Sequence, residues 1–381
     1  MKLKMSRLVL LDEISKANKI IDAKIINPEL LGVHLEITND AIIFLSSNGG
    51  VNWKATINKN TDPFLEIQEV GTLLIKGRYL IEVLRKIEEN LVELSVVEEN
   101  QLVIKTDKVR FSLQILNADD YPLIGFRENG VELKLNPSEL RKGINQTMIS
   151  IDEYNKKIIF TGMNLQGASG DNFLKIFTTD GFRISTKNIS LTTPLTEDVE
   201  FTLSFKLLGE LIRLLDGCKE LVIYLFEGYI TFVFNQNSLL QTTLIEGKYP
   251  NVANAFPKSF PTTLKLGRTT FLKALNRANL TNEEGNTPVV VLDIDQERIE
   301  LSSTSLEIGN YAETLTNFEF EGEPQKISFN IKYLLDAFRT FDHEEVVVGL
   351  ISSVKPLEIS SLKDEGIDTT LKQLVLPLSI G

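Results

Sequence analysis

The side chains that most often carry out catalysis are few in this chain and do not group into a reactive set. Cys218 is its one cysteine, and His34 and His343 are its two histidines, whereas a transition-metal site usually takes three or four ligands from these residue types. Adjacent acids occur at Asp119–Asp120 and Glu283–Glu284, but neighbouring carboxylates point in different directions and more often mark solvated turns. His34 lies in an alternating run that predicts a strand. The sequence therefore predicts no enzyme active site, no metal site and no cofactor.

Glycine-rich segments do not indicate a nucleotide site either. Gly49-Gly50 is not part of a phosphate-binding loop, because no glycine-rich run followed by Lys and Ser or Thr comes after a predicted strand. A hydrolase or transferase with a site that leaves no sequence signature stays open as an alternative. Loss of turnover on mutation of Asp119 or Glu283 would support that alternative.

The elements predicted from the sequence form an internal repeat. The segments 75–87, 203–215 and 329–341 align without gaps and share a base, a leucine, an acid and an arginine at fixed positions. Each has helical apolar spacing and is followed by an alternating stretch, at 92–97, 221–226 and 346–350, that is typical of a strand. A Tyr-Pro pair recurs at Tyr121-Pro122 and Tyr249-Pro250. Three domains are therefore predicted, at 1–130, 131–257 and 258–381.

Each repeat also contains an earlier predicted helix, at 6–19, 137–149 and 268–280. Asn136 is a candidate N-cap for the second of these, and Pro137 suits its first helical position. Two helices plus antiparallel strands in each unit predict an α+β fold of three tandem copies of one domain.

Basic residues concentrate on the predicted helices. The chain has a net charge of −12, yet each of the six helical segments contains more Lys and Arg than Asp and Glu. A single basic helix is usually a solvated face, but the same sign on six helices favours a surface that contacts the phosphate backbone without base recognition. The bases at the shared positions are Arg78, Lys206 and Lys332, with Arg85, Arg213 and Arg339 after them.

The composition is that of an ordinary folded protein. Apolar residues make up 43% and charged residues 24% of 381 residues, which favours two or three packed domains. The first apolar run, 8–11, is too short for a signal segment, and no run approaches the length of a membrane span. A cytoplasmic location without intrachain disulfides is expected.

Linked motifs give the chain a resemblance to the bacterial DNA polymerase III beta subunit family, the DNA sliding clamps, over essentially its whole length. The motifs are Thr179-Asp180-Gly181-Phe182-Arg183, Gly247-Lys248-Tyr249-Pro250 with Pro257, Phe329-Asn330 with Tyr333, and Val375-Leu376-Pro377-Leu378 near the end. The resemblance implies three domains per chain and two chains per ring. It also implies a non-enzymatic processivity factor that encircles duplex DNA as a homodimer. The implied partners are the DNA polymerase III alpha subunit, the clamp loader and other proteins with a clamp-binding motif, and no membrane.

The resemblance implies a peptide-binding groove between the second and third domains. Three positions depart from the family pattern, because Phe182 replaces a common histidine and Asn254 and Ser379 replace common basic residues. The groove is therefore expected to be less basic than is usual in the family. Its implied residues are Phe160, Thr179, Gly181, Arg183, Ile184, Pro250, Val354, Leu376, Pro377 and Leu378.

The same resemblance implies contacts with DNA and with a second copy of the chain. The strand Arg110-Phe111-Ser112-Leu113 is expected to face the helix that ends near Leu280 in the partner copy, since an apolar edge strand needs a partner. A ring-like relative that never holds DNA stays open, although such a protein has no need of shared helix arginines. The residues implied for DNA are Lys24, Arg78, Tyr154, Lys156 and Lys157, in addition to the helix bases.

Overall fold

The computed structural model describes residues 1–22, 27–98, 100–283, 285–363 and 368–378. The predicted helices are confirmed at all six places. The helices are α1 (Arg7–Ile20), α2 (Gly77–Lys86), α3 (Pro137–Thr147), α4 (Phe205–Leu214), α5 (Arg268–Ala278) and α6 (Ile331–Arg339). None of the described helices is long and apolar enough to cross a membrane.

Helix boundaries differ from the sequence alignment for local reasons. The three aligned segments begin two residues too early, because their first residues complete the strand that leads into each helix. The Ser204 hydroxyl then accepts the Leu207 amide, and the Asn330 side chain accepts the Lys332 amide, so a polar residue caps α4 and α6. α3 begins at Pro137 as predicted, but α3 and α5 each end in a short 3-10 turn, at 148–150 and 279–281.

Strands make up most of the remaining structure, and those predicted at 92–97, 221–226 and 346–350 are confirmed. In the first repeat they are β1 (Lys2–Ser6), β2 (Val33–Ile37), β3 (Ala41–Ser47), β4 (Val51–Asn58), β5 (Glu66–Glu69), β6 (Gly71–Ile75), β7 (Leu91–Val97), β8 (Gln101–Lys105) and β9 (Arg110–Gln114). In the second they are β10 (Val131–Leu135), β11 (Gly162–Gly167), β12 (Phe173–Thr179), β13 (Arg183–Ser190), β14 (Val199–Ser204), β15 (Leu221–Phe226), β16 (Tyr229–Phe234) and β17 (Ser238–Thr243). In the third they are β18 (Thr262–Gly267), β19 (Val289–Ile294), β20 (Ile299–Ser305), β21 (Gly309–Leu315), β22 (Phe318–Glu321), β23 (Gln325–Asn330), β24 (Glu345–Leu350), β25 (Leu357–Ser361) and β26 (Lys372–Val375).

The described residues divide into two compact units, and the second repeat contributes to both. The first unit, 1–137 with 217–244, contains an antiparallel sheet of order β5-β1-β7-β8-β9 and a larger one of order β10-β15-β16-β17-β4-β3-β2-β6. In the larger sheet, β17 of the second repeat pairs with β4 of the first, and Leu240 lies opposite Trp53. Helices α1 and α2 pack together, and α1 also packs on β3 and β4, which buries Leu10, Ile14 and Phe44.

The second unit, 138–216 with 245–381, repeats this arrangement. Its larger sheet has the order β14-β11-β12-β13-β26-β25-β24-β18-β22, and its smaller one β21-β20-β19-β23. Here β26 of the third repeat pairs with β13 of the second. Helices α5 and α6 pack together, with the Phe271 and Phe338 rings 4.8 Å apart in the core. The pairing of β13 with β26 positions the site described next.

Candidate functional site

The turn between β12 and β13 is held by its own side chains. The Thr179 hydroxyl donates to the Arg183 carbonyl at 2.8 Å and accepts the Gly181 amide at 3.0 Å. The Asp180 carboxylate accepts the amides of Phe182 and Arg183 at 2.8 and 3.0 Å. Gly181 has φ of +93°, a left-handed conformation that favours glycine. The turn is therefore preorganised, and it presents the Phe182 ring, 59% exposed, to solvent.

Arg183 links this turn to helix α6. Its Nε donates to Asp180 and its Nη1 to Asp336, both at 2.9 Å, and its side chain is only 12% exposed. The guanidinium also lies 4.4 Å from the centre of the Tyr333 ring. Because these donors point at carboxylates of the same chain, Arg183 positions the β12–β13 turn against helix α6.

The end of the described chain lies beside the same turn. Arg183 lies opposite Val375 in the β13–β26 pair. The Leu376 amide then donates to the Phe182 carbonyl at 2.9 Å, and the Leu378 amide to the Ser328 carbonyl at 2.8 Å. Leu376 is 38% exposed, while Pro377 and Leu378 are half-buried. Two segments that are far apart in sequence are thus brought together.

An aromatic pair lies near the turn. The Phe160 ring meets the Tyr249 ring edge-on, with centroids 6.3 Å apart. Burial raises the pKa of Tyr249, and the nearby Thr179 backbone only partly offsets that rise. Pro250 follows Tyr249 directly, so the segment that leads into the third repeat borders the β12–β13 turn.

The remaining residues implied for the groove occupy different positions. Ile184 is 7% exposed and forms part of the core beneath the turn. Val354 is 75% exposed in the turn between β24 and β25, and it is connected to the other groove residues through β25, which pairs with β26. Ser379 lies outside the described residues.

The first unit contains a second copy of the β12–β13 turn, with different side chains. Gly49 donates its amide to the Ser47 hydroxyl at 3.0 Å, and the Asn48 side chain accepts the amides of Gly50 and Val51 at 3.1 and 2.8 Å. These bonds match those in the second unit, but Gly50 and Val51 stand where Phe182 and Arg183 do. The first unit's turn therefore lacks both the exposed ring and the guanidinium.

Sequence reasoning did not assign Tyr333 and Asp336 to the site. The repeat alignment contained the signal, because Asp336 shares its position with Glu82 and Glu210. In α2 and α4 that acid pairs with the arginine three residues later on its own helix. In α6 the corresponding acid, Asp336, pairs with Arg183 instead of with Arg339. Arg339 donates to the Asn276 side chain at 3.3 Å.

The bases proposed to contact DNA are largely on exposed helix surfaces. Arg85 and Arg213 are more than half exposed, although each is paired with an acid on its own helix. The Arg78 guanidinium lies 4.5 Å from the Tyr79 ring centre, beside a groove of 580 Å³ between α1 and α2. Lys206 and Lys332 lie in the first turns of α4 and α6. Tyr154 is 87% exposed in a turn with Lys156 and Lys157, and Lys24 lies outside the described residues.

The residues proposed for a subunit interface lie at open edges of each unit. β9, with Arg110, Phe111 and Leu113, is an edge strand of the five-stranded sheet, and Phe111 is 39% exposed. In the other unit β21 is an edge strand of the four-stranded sheet, and Leu280 is 74% exposed in the 3-10 turn after α5.

The residues considered as catalytic candidates form structural hydrogen bonds, lie exposed in turns or belong to a strand. The Glu283 carboxylate accepts the Ser305 hydroxyl and the Glu307 amide, which lowers the pKa of Glu283; Glu284 lies outside the described residues. Asp119 and Asp120 are exposed in a turn with Asn117. His34 lies in β2, which confirms the predicted strand. Across the described residues, no three side chains of His, Cys, Asp or Glu gather into a metal-binding group.

The described residues form three repeats of helices and antiparallel strands with open sheet edges. Models of the DNA polymerase III beta subunit match residues 1–125 (N-terminal domain), 134–251 (central domain) and 253–379 (C-terminal domain). The chain is 40% identical over 378 residues to the beta sliding clamp of Mycoplasma capricolum, covering 99% of both chains. It is 30% identical over 372 residues to that of Staphylococcus epidermidis, covering 97% of this chain and 96% of the relative. The crystal structure of the Bacillus subtilis DNA polymerase sliding clamp aligns over 100% of both chains with a TM-score of 0.92 at 27% identity.

This chain belongs to the DNA polymerase III beta subunit family, the bacterial beta sliding clamps. The resemblance inferred from the motifs and the three-domain α+β fold are thereby confirmed.

Proposed function

We propose that this chain is a processivity factor that encircles duplex DNA as a ring-shaped homodimer and tethers replication and repair proteins through a peptide-binding groove. It has no catalytic activity of its own in this proposal and acts in the cytoplasm. The observation that most strongly supports the proposal is the tandem match of three beta subunit domains along the chain. The proposed domains are 1–130, 131–257 and 258–381.

Open sheet edges support the proposed dimerisation. An exposed edge strand with apolar side chains is a template for pairing with another chain. β9 carries Phe111, and the unit that contains β21 exposes Leu280 and Leu306, the latter fully. A head-to-tail pairing of β9 with β21 of a second copy removes both edges and closes a symmetric ring.

Contact with DNA is electrostatic in this proposal. The basic helix residues are exposed and can approach phosphates, but the pairing of Arg85 and Arg213 with acids of their own helices weakens the field that each one contributes. Affinity for short open duplexes is therefore expected to be low and to fall with salt. Retention on DNA then depends on closure of the ring around the duplex.

The groove is proposed to receive a short motif from the polymerase alpha subunit, the clamp loader and other partners. Phe182 and Leu376 offer exposed apolar surface on a hydrogen-bonded frame, and Phe160 and Pro250 border it. A preorganised apolar surface with a few oriented polar groups is typical of peptide sites.

Two experiments test the proposed ring. Light scattering after size-exclusion chromatography should give a dimer, and the protein should be retained on nicked circular DNA and released when that DNA is linearised. A monomer at micromolar concentration, or equal retention on both DNA forms, contradicts the ring.

A labelled peptide with Gln, an aliphatic residue and a terminal Leu-Phe should bind with micromolar affinity in fluorescence anisotropy. Deletion of 376–381 should abolish that binding, and Phe182→Gly, which copies the first unit's turn, should weaken it about tenfold or more. Leu123→Asp changes a fully exposed leucine of the first unit and serves as the control. Unchanged affinity after the deletion places the site elsewhere.

A further inference from the structure

The exposed aromatic surface of the groove lies in acidic surroundings. The rings of Phe182 and Tyr333 stack at an interplanar angle of 28°, with centroids 6.5 Å apart. Asp180 and Asp336 share one guanidinium, that of Arg183, so this trio already carries one net negative charge. The surface is apolar at its centre and negative around it.

Asp152 adds a further negative charge beside Tyr333. Burial raises the pKa of Tyr333 first, the carboxylates of Asp180, Asp152 and Asp336 raise it further, and Arg183 alone opposes them. Asp152 accepts the Tyr154 amide at 3.1 Å. Three carboxylates and one guanidinium therefore act electrostatically on the Tyr333 ring.

A basic group lies beside Phe160. Lys157 places its ammonium 5.6 Å from the centre of the Phe160 ring, and Phe160 contacts Tyr249. A bound peptide therefore meets a basic group near Phe160 and acidic groups near Tyr333. Charged groups around a peptide site favour peptides with the complementary charge next to their apolar anchors.

We propose that the partner segment carries a lysine or arginine beside its apolar anchors and that this cation binds at the face formed by Phe182, Tyr333 and the three aspartates. The inference rests on the proposed peptide-binding function and specifies the chemistry of the partner. The Arg183 guanidinium already lies over the Tyr333 ring, so the partner's cation approaches the exposed Phe182 ring, and a cation near an aromatic face is attracted by that ring. Complementary charges around a peptide site determine which partners are selected.

The test uses labelled peptides that share the Gln–aliphatic–Leu–Phe core and carry Lys, Gln or Glu on its N-terminal or its C-terminal side. Affinities are measured by fluorescence anisotropy with the full chain at low salt. At one of the two positions, Lys should bind about threefold to tenfold tighter than Glu, with Gln between them. The preference should shrink in high salt, because these charges are partly exposed.

Two matched variants test whether the Lys-to-Glu preference arises at this face. Asp152→Asn keeps the acceptor for the Tyr154 amide and should reduce the Lys-to-Glu preference by about half or more. Glu321→Gln removes one exposed carboxylate from β22 and should leave the preference unchanged. If the neutral core binds but peptides with Lys and Glu bind equally at both positions, this inference alone is overturned. An equal change of the Lys-to-Glu preference in both variants overturns it as well. Failure of every peptide to bind, the neutral core included, overturns the proposed groove together with the inference.

Discussion

Replacing Arg183 by methionine should destabilise the protein far more than the same change at an exposed helix arginine. In Arg183→Met, Asp180, 9% exposed, and Asp336, 37% exposed, lose their shared cation. Removing one partner of a buried ion pair costs about 3–5 kcal/mol. Asp180 keeps two amide donors and Asp336 is partly solvated, so the expected loss in the free energy of unfolding is about 2–4 kcal/mol.

The control is Arg213→Met, because Arg213 forms an acid pair on α4 while remaining 53% exposed. An exposed pair contributes about 0–1 kcal/mol, so the free energy of unfolding should change little. Urea titrations followed by circular dichroism compare the transition midpoints of both variants with that of the unsubstituted protein. Asp336→Asn should be intermediate, because it leaves Arg183 paired with Asp180. Equal midpoint shifts for Arg183→Met and Arg213→Met would refute the positioning role of Arg183.

Further predictions concern association, DNA and pH. Leu280→Asp should give folded monomers in light scattering, since a charge replaces an exposed apolar side chain at the proposed interface; a persistent dimer would exclude this edge. Alanine at Arg85, Arg213 and Arg339 together should weaken binding to a short duplex and reduce its salt dependence without unfolding the chain, and unchanged binding would rule out these helix faces. Burial lowers the pKa of His34 below its ordinary 6.5, so the unfolded state binds the proton better and stability falls as the pH drops below 6.5. His34→Phe retains a ring to stack on Tyr121. Between about pH 7.5 and about pH 5.5 it should lose less stability than the unsubstituted protein in urea titrations. Equal losses in both proteins would contradict the assignment of this pH dependence to His34.

The repeat, the six helices and many of the strands could be predicted from the sequence because their signals are local. Apolar spacing, turn residues and caps such as Asn330 act over a few residues, and the repeat supplies each signal three times. Helix ends were less accurate, since the alignment assigned the last strand residues before α2, α4 and α6 to the helices. The family could be recognised from short motifs such as 179–183, which depend on the side-chain hydrogen bonds of a single turn.

The composition of the site depends on contacts over long sequence distances. The sequence alone placed an arginine near an acid three residues away in each repeat, and that local pairing occurs at Arg85 and Arg213. Only the tertiary structure pairs Arg183 with Asp336 of α6, because β26 aligns beside β13 and brings the third repeat to the turn. Strand pairing across 188 residues, as between Ser185 and Gln373, leaves no periodic signal in the chain. The sequence by itself therefore determined the repeats and their elements, whereas the tertiary structure decided which charges surround the groove, because electrostatic partners are set by proximity in space.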